Sequence, residues 1–420
     1  MKPVIVQKYG GSSVADIERI RHVAQHVTAT AAKGYAVVVV VSAMGKTTDV
    51  LLEMAGELSS EPPRRELDML LSVGERISMA LLSIAINQLG HEAISFTGSQ
   101  SGIMTTDSHS NARIIEVRPF RIQDELARNR IVIVAGYQGT SYKREITTLG
   151  RGGSDTTAVA IAAALDARQV EIYSDVAGVY SADPQIVPEA FCLDEVDVDQ
   201  MMMLSKSGAR VLSGDALEYA RKKGIAVFAR SSLEPARPGT VIRKNPEVDD
   251  RQFTAVAGKK GVVYLQFLSG DGVTGGVDLF DCLNAIGSEE VLPFMSHVSL
   301  HGHAGATFLY STENLHERAA FEARVRARFG DAVDIRDDIG TVTLVGPGLA
   351  EEPETHSRVT AFLEEHRDLI RQVFFFPLGV TMLVAASDVD HLVRDTHELF
   401  LAGEKKVHSG VCQNEKKDAN

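Results

Sequence analysis

Thr147–Ala158 reads TTLGRGGSDTTA: three glycines, an arginine and an aspartate at the threshold of an alanine-rich run. The segment ahead of it, Arg130–Gly136 (RIVIVAG), is a short β-branched run of the kind that forms a buried strand, and Thr156–Ala167 has helical spacing. The stretch is therefore a glycine turn feeding a helix N-terminus. Backbone N–H groups in such a turn can converge on an anion while the helix dipole favours negative charge, so phosphate is its natural ligand.

Outward from this turn the pattern repeats. Val4–Gln7 reads as a strand, Tyr9–Ser13 as a glycine loop and Asp16–Ala32 as a helix with apolar positions at Ile17, Ile20, Val23, Ala24 and Val27. Tyr35–Ser42 is a valine run without alternation, the mark of a strand buried on both faces. A helix over Leu67–Leu89, a strand at Ala93–Phe96, a helix at Arg118–Arg128 and a strand at Gln169–Ser174 continue the alternation. Such a series implies an α/β fold, a mainly parallel sheet with helices on both faces.

Pro235–Pro246 (PARPGTVIRKNP) marks the end of this unit, and beyond it the rhythm changes. Residues 1–240 are read as one domain and 241–256 as a linker. Over 257–410, two rounds of strand, helix and paired strands predict twin ferredoxin-like α+β modules of about 70 residues each. These comprise strands at Val262–Phe267, Val291–Leu300, Thr307–Ser311, Val333–Arg336, Thr341–Val345, Leu369–Phe376 and Thr381–Ala385. The intervening helices fall at Gly276–Ile286, Glu313–Phe329, Glu354–Glu365 and Val389–Phe400. Residues 411–420 are a polar tail.

The 420 residues carry a net charge of -13, with 44% hydrophobic and 24% charged positions. That balance argues against nucleic acid or a membrane surface as partner, so an anionic ligand needs local positive side chains. Cys192, Cys282 and Cys412 are scattered without metal-like spacing, which suits a reducing, cytoplasmic setting. The N-terminus meets Lys8 without an apolar leader, and no apolar run approaches the ~20 residues of a membrane span.

Three clusters fall at strand ends, which in a parallel sheet share one edge where ligands bind. In Lys8-Tyr9-Gly10-Gly11-Ser12 an ammonium and a glycine backbone can reach the same phosphate. Thr48 follows the valine strand and either binds an anionic oxygen or caps a helix. Glu75, inside the apolar LLSVGERISMALL, is a carboxylate paired with a cation or awaiting one. Arg151 offers a fork for a carboxylate and Asp155 a partner for an ammonium, the two charges a free amino acid requires; alternatively Asp155 caps the helix and Arg151 is a surface residue. A dinucleotide fingerprint, with Gly150, Gly152, Gly153 and Glu171, is the rival reading. It wants Gly or Ala where Asp155 stands. The turn Tyr173–Pro184, with Ser174, Asp175 and Tyr180, could frame a nucleotide.

Taken together, VQKYGGSSV, VVVVVSAMGKTTDVLL, MLLSVGE, SFTGSQSGI, VAGYQG, TTLGRGGSDTTAVA and YSDVAGVYSADP, in this order from Val4 to about Ser232, resemble the aspartate kinases of the amino-acid kinase superfamily. The resemblance implies a three-layer αβα kinase domain followed by two ACT-type modules. It implies transfer of the ATP γ-phosphoryl group to the β-carboxylate of L-aspartate, with Mg2+ carried by the nucleotide and no protein metal site. By similarity Lys8, with Gly10, Gly11 and Ser12, bears on the phosphates. Thr48, Glu75, Arg151 and Asp155 hold aspartate, with Lys8 and Asp155 nearest the chemistry, while Ser174, Asp175, Tyr180 and Arg210 line ATP. A homodimer or higher homo-oligomer through the C-terminal modules is expected.

The sequence also departs from the family. Arg210 stands where lysine is usual, Ser213-Gly214 where some members have His-Pro, and Gln185 where arginine is frequent. The Pro-Gly loop is absent from Leu268–Gly276, Ile286–Glu289 lacks the Gly-Ile-Asn turn, and Gly346-Pro347-Gly348 is a partial echo. No effector residues are therefore assigned. A kinase of a related acidic amino acid, and a catalytically silent amino-acid sensor, are the competing readings.

Overall fold

A computed structural model describes residues 2–150, 152–209, 211–246, 251–268, 292–299, 305–313, 315, 318–347, 349 and 352–403. Arg151, Arg210, Cys282, Cys412, the helix read over 276–286 and the tail 411–420 lie outside the described residues. So do the loop and turn stretches at 269–276 and 286–289, and Gly348.

The opening βαβ unit is β1 (Val4–Tyr9), a tight turn at Gly11–Val14, α1 (Ile17–Ala32) and β2 (Ala36–Val41). Asp16 caps α1, its carboxylate accepting from Arg19 N at 2.8 Å. Next come α2 (Thr47–Leu58), α3 (Arg64–Leu71), α4 (Val73–Gln88), β3 (Ala93–Phe96), β4 (Ile103–Thr105), β5 (Ile114–Val117) and α5 (Phe120–Ala127). The turn at the centre of the sequence lies among β6 (Ile131–Ala135), β7 (Gln138–Ser141), β8 (Ile146–Thr148) and α6 (Gly153–Ala164). Then β9 (Gln169–Ser174), β10 (Glu195–Asp197), α7 (Val198–Lys206), α8 (Gly214–Lys223), β11 (Val227–Ser231) and β12 (Thr240–Arg243) complete the first part.

Eight strands form one sheet in the order β10-β12-β11-β9-β1-β2-β6-β3, with every neighbouring pair parallel except β11 and β12. Val38 and Val40 share an apolar cluster with Ala158, Val159 and Ile161 of α6; Val37, Val39 and Val41 share another with Val23 and Val27 of α1 and Leu82 and Ile86 of α4. Each valine is buried against one layer or the other, which is why the run shows no alternation. At roughly 1.5 kcal/mol or more per buried valine, β2 anchors the three-layer core.

The sequence and the structure differ in four places. A four-stranded sheet, β5-β4-β7-β8, escaped the reading because strands of three or four residues such as QGTS carry no periodicity. The helix read over Leu67–Leu89 is α3 and α4, meeting at Ser72. By length and composition alone Arg64–Gln88 could cross a membrane; in the fold its apolar positions Met79, Leu82 and Ile86 cover the sheet. Residues Thr240–Arg243 pair with β10 and β11, so the stretch read as a linker begins with a strand of the large sheet.

The fourth difference is in the C-terminal part, which comprises β13 (Ala255–Leu268), β14 (Met295–Ser299), β15 (Gly305–Ser311), α9 (Arg318–Phe329), β16 (Val333–Val345), α10 (Pro353–Glu365), β17 (Ile370–Phe376), β18 (Gly379–Ala385) and α11 (Val389–Phe400). Its strands make one antiparallel sheet, β14-β15-β13-β16-β18-β17, of the ACT type. The two halves are interleaved rather than consecutive. Ala255–Lys259 pair with Thr341–Val345 beside β18, whereas Val262–Phe267 pair with Val333–Ile339 beside β15. Asp337, Asp338 and Gly340 interrupt the apolar pattern and make β16 look like two strands; the pairing with β13 skips these three residues and resumes on either side through two register shifts, while Gly340 stays paired with Val384 of β18.

Candidate active site

Lys8 lies one residue from the end of β1, between Val40 of β2 and Ile172 of β9. Its side chain reaches the α6 face, where Nζ is 2.6 Å from Asp155 Oδ1, with only 12% and 10% of the two side chains exposed. Asp155 belongs to the first turn of α6, where the helix dipole favours a carboxylate. The N-cap position is Gly152, at φ +70°, and no side chain caps the helix. The capping alternative for Asp155 is thereby corrected: its carboxylate holds Lys8 instead.

Gly152 is required twice over. Its backbone is left-handed, and a Cβ there would stand 2.2 Å from Ser213 Cβ. Ser213 caps α8, its hydroxyl accepting from Ala216 N at 3.3 Å and donating to Gly152 O at 3.2 Å. The departure at Ser213-Gly214 is thus seated directly on the glycine turn.

The first glycine loop closes on the same rim. Gly10 N donates to Tyr173 O at 3.1 Å, and Gly45 N donates to Gly11 O at 3.0 Å. A Cβ on Gly11 would lie 2.9 Å from Ala43 O, so the loops after β1 and β2 touch through bare backbone. Ser12 O accepts from the Arg19 guanidinium at 2.9 Å, fixing the loop to α1.

Glu75, in the first turn of α4, is 3% exposed. Its Oε1 accepts from Ala43 N at 3.1 Å, and Oε2 has no hydrogen-bond partner among the described residues. Burial pushes its carboxyl up to about 7, against the opposing effect of backbone N–H donors. The Nε of neighbouring Arg76 is likewise buried without a hydrogen-bond partner there. Lys8 and Glu75 sit on opposite faces of the sheet. They approach the same C-terminal rim: a Cβ on Gly10 would lie 3.6 Å from the Lys8 ammonium, Gly11 O accepts from Gly45 N in the loop after β2, and Ala43 of that loop holds Glu75.

Thr48 lies half-buried in the first turn of α2; the N-cap position is Lys46, without a side-chain cap, so the capping alternative for Thr48 falls too. Ser174 ends β9, its backbone oxygen accepting from Ser232 N at 2.7 Å, and Asp175 beside it is exposed. Both adjoin the glycine loop, because Tyr173 O holds Gly10 N. Tyr180 is half-buried further along, bridged to Cys192. Glu171 is not at this rim. It is buried beneath the sheet with Gln7 Nε2 at 2.8 Å, Tyr173 OH at 3.0 Å and Arg230 at 2.9 Å, which removes the acid that the dinucleotide reading needs.

Sequence reasoning missed Asp68. Fully buried on α3, it accepts from Ser110 N at 3.0 Å and Thr148 Oγ1 at 2.6 Å, and it bonds His109 Nδ1 at 2.7 Å. It ties α3 to the strand end two residues before Gly150. Its partners are 41 to 80 positions away, so no local spacing announces it. A cavity of about 210 Å³ bordered by Lys2, Tyr35, Glu92 and Arg130 opens at the opposite edge of the sheet, where Arg130 is already paired with Glu92 and Glu125. Among the described residues no group of three or more His, Cys, Asp or Glu is arranged to hold a metal.

A parallel sheet with two glycine loops and a buried lysine–aspartate pair at its rim defines a class, and residues 3–231 match the amino acid kinase family model. The aspartokinase of Mycolicibacterium smegmatis is 41% identical over 419 residues, covering 97% of this chain and 99% of its own. That of Corynebacterium glutamicum is 42% identical over 425 residues, with the same coverage. The fold is similar to that of E. coli aspartokinase III in complex with aspartate and ADP, with a TM-score of 0.81 at 22% identity over 94% of this chain and 99% of that one. The chain belongs to the amino acid kinase family and, within it, to the aspartokinases.

Proposed function

We propose that the chain transfers the γ-phosphoryl group of ATP to the β-carboxylate of L-aspartate, giving 4-phospho-L-aspartate, at the rim that joins Lys8, Asp155 and Glu75. The observation that carries this reading is a buried lysine held by a carboxylate on one side of the rim and, on the other, a buried carboxylate oxygen with no hydrogen-bond partner among the described residues. The first suits a phosphoryl group and the second an ammonium.

No general base is needed. A free β-carboxylate, with a pKa near 4, is already ionised at neutral pH. The work left to the protein is to bring two anions together and offset the charge on the moving group. Lys8, oriented by Asp155, bears on the transferred phosphoryl, with backbone N–H groups of Gly10, Gly11 and Ser12 around it. Glu75 and Asp155 receive the aspartate ammonium, Thr48 its side-chain end, and Arg151 its α-carboxylate by resemblance. Ser174, Asp175, Tyr180 and Arg210 line the nucleotide.

Magnesium would be held by the ATP phosphates rather than by side chains of the chain, and there it would supply charge neutralisation. Residues up to about 243 form the catalytic unit and the antiparallel sheet a regulatory one. Self-association is assigned to that sheet, whose edge strand β17 exposes Phe375 and Phe376. Hydroxylamine trapping of the acyl phosphate, run with aspartate, glutamate and related acids, tests the proposal. Hydroxamate from aspartate alone supports it; preference for another acid transfers the reading to a related kinase, and none at all to a silent sensor.

A further inference from the structure

Ser181 is fully buried at the end of the nucleotide-side turn, and every polar atom it has is used. Its N–H donates to Phe191 O at 2.9 Å and its carbonyl accepts from Val256 N, in β13, at 2.8 Å. Its hydroxyl oxygen accepts from Phe191 N at 3.1 Å and meets His397 Nε2, on α11, at 2.9 Å. His397 is itself 3% exposed, 216 positions away in the chain. One residue thus joins the turn, the first strand of the antiparallel sheet and its last helix.

Apolar packing follows the same path. Ala182 and Val187 belong to the cluster formed by Val342, Leu344, Val380, Leu392 and Val393 of the C-terminal part, not to that of the kinase sheet. Arg394 Nε, one turn of α11 from His397, donates to Ile186 O at 3.1 Å. The segment after Tyr180 is therefore built into the C-terminal core. Tyr180, one residue earlier, adjoins this anchored segment and is bridged to Cys192.

We propose that His397, acting through Ser181, is a positioning residue for ATP: the C-terminal module sets the nucleotide-side turn through this buried hydrogen bond. The inference rests on the reading that Tyr180 and its neighbours line the nucleotide. Because the bond is enclosed, removing one partner leaves a buried donor or acceptor unmet, and the strain falls on the turn rather than on solvent.

Steady-state kinetics on the full-length chain test this with His397→Phe, His397→Gln, Ser181→Ala and Tyr180→Ala. The proposal expects His397→Phe and Ser181→Ala to raise the ATP KM about tenfold, with the aspartate KM within about twofold of wild type. Glutamine, whose amide can occupy the Nε2 position, should restore the ATP KM. An unchanged ATP KM in His397→Phe and Ser181→Ala, with Tyr180→Ala impaired, overturns the coupling and leaves the nucleotide reading standing. An unchanged ATP KM in Tyr180→Ala overturns both. Equal losses for both substrates with a lowered Tm and no rescue by glutamine reduce the contact to packing and overturn it as well. Should His397→Phe fail to fold, the smaller Ser181→Ala carries the same comparison.

Discussion

Lys8 Nζ and Asp155 Oδ1 stand 2.6 Å apart across the gap between β1 and the first turn of α6, nearly enclosed. The sequence assigned these residues to different reactants, Lys8 to the phosphate and Asp155 to the amino acid. Their pairing adds a further role for Asp155: a carboxylate that fixes where the ammonium points, on rigid elements, before ATP arrives. Pre-organised charge of this kind is worth more in a dry site than in water.

Lys8→Met should lower kcat by at least about a hundredfold with a small change in either KM, because the interaction is made with a group in transit. Removing one partner of a buried pair costs roughly 3–5 kcal/mol, so thermal unfolding should show a loss of stability alongside. Near-normal turnover would remove Lys8 from the phosphoryl site.

Glu75 gives a pH prediction with a definite sign. With the carboxyl at about 7, the free enzyme is mostly protonated at that site at pH 6 and mostly ionised at pH 8. An ammonium binds the ionised form, so the aspartate KM should fall about tenfold from pH 6 to pH 8. Glu75→Gln should raise the KM and flatten the profile; a wild-type profile that is already flat contradicts the assignment.

The same group acts on stability in the opposite direction. Its folded pKa is raised from 4.5 to about 7, so its contribution is fully present below about pH 4.5 and is lost as pH rises through 7. That rise corresponds to something on the order of 3 kcal/mol. Without ligand at pH 8, Glu75→Gln should therefore unfold at a higher temperature than wild type, and aspartate should narrow the difference.

Gly152→Ala combines a disfavoured left-handed φ with a Cβ 2.2 Å from that of Ser213. A cost of at least about 2 kcal/mol is expected. Unlike Ser213→Ala, it should also impair turnover, since α6 carries Asp155. Chemical denaturation and kcat, measured on both variants, check the contrast.

Arg151→Ala should raise the aspartate KM at least about tenfold, the worth of one charge-assisted bond, and leave the ATP KM nearly unchanged. Titration of each substrate against a fixed excess of the other reads this directly.

Much of the kinase fold was legible because its strands carry unambiguous signals: the valines of β2 can only belong to a strand covered twice, and Gln169–Ser174 falls where expected. The rim was legible because glycines and charges cluster at strand ends. What could not be read were relationships between distant positions. The Lys8–Asp155 ion pair joins the first strand to a helix far along the chain, and Asp68 gathers its partners from β8 and from the segment between β4 and β5. The interleaving of β13 and β16 depends on which strands pair, and alternation within a strand says nothing of its neighbours.

The account stands most directly on a double-mutant cycle at Lys8 and Asp155, with single-turnover γ-phosphoryl transfer to aspartate and unfolding free energy measured on Lys8→Met, Asp155→Asn and the double variant. If the pair acts as one unit, each single variant loses about as much transfer rate as the double. The double should also be more stable than either single, because no buried charge is left alone. Multiplicative loss of rate, with each residue contributing independently, would contradict it.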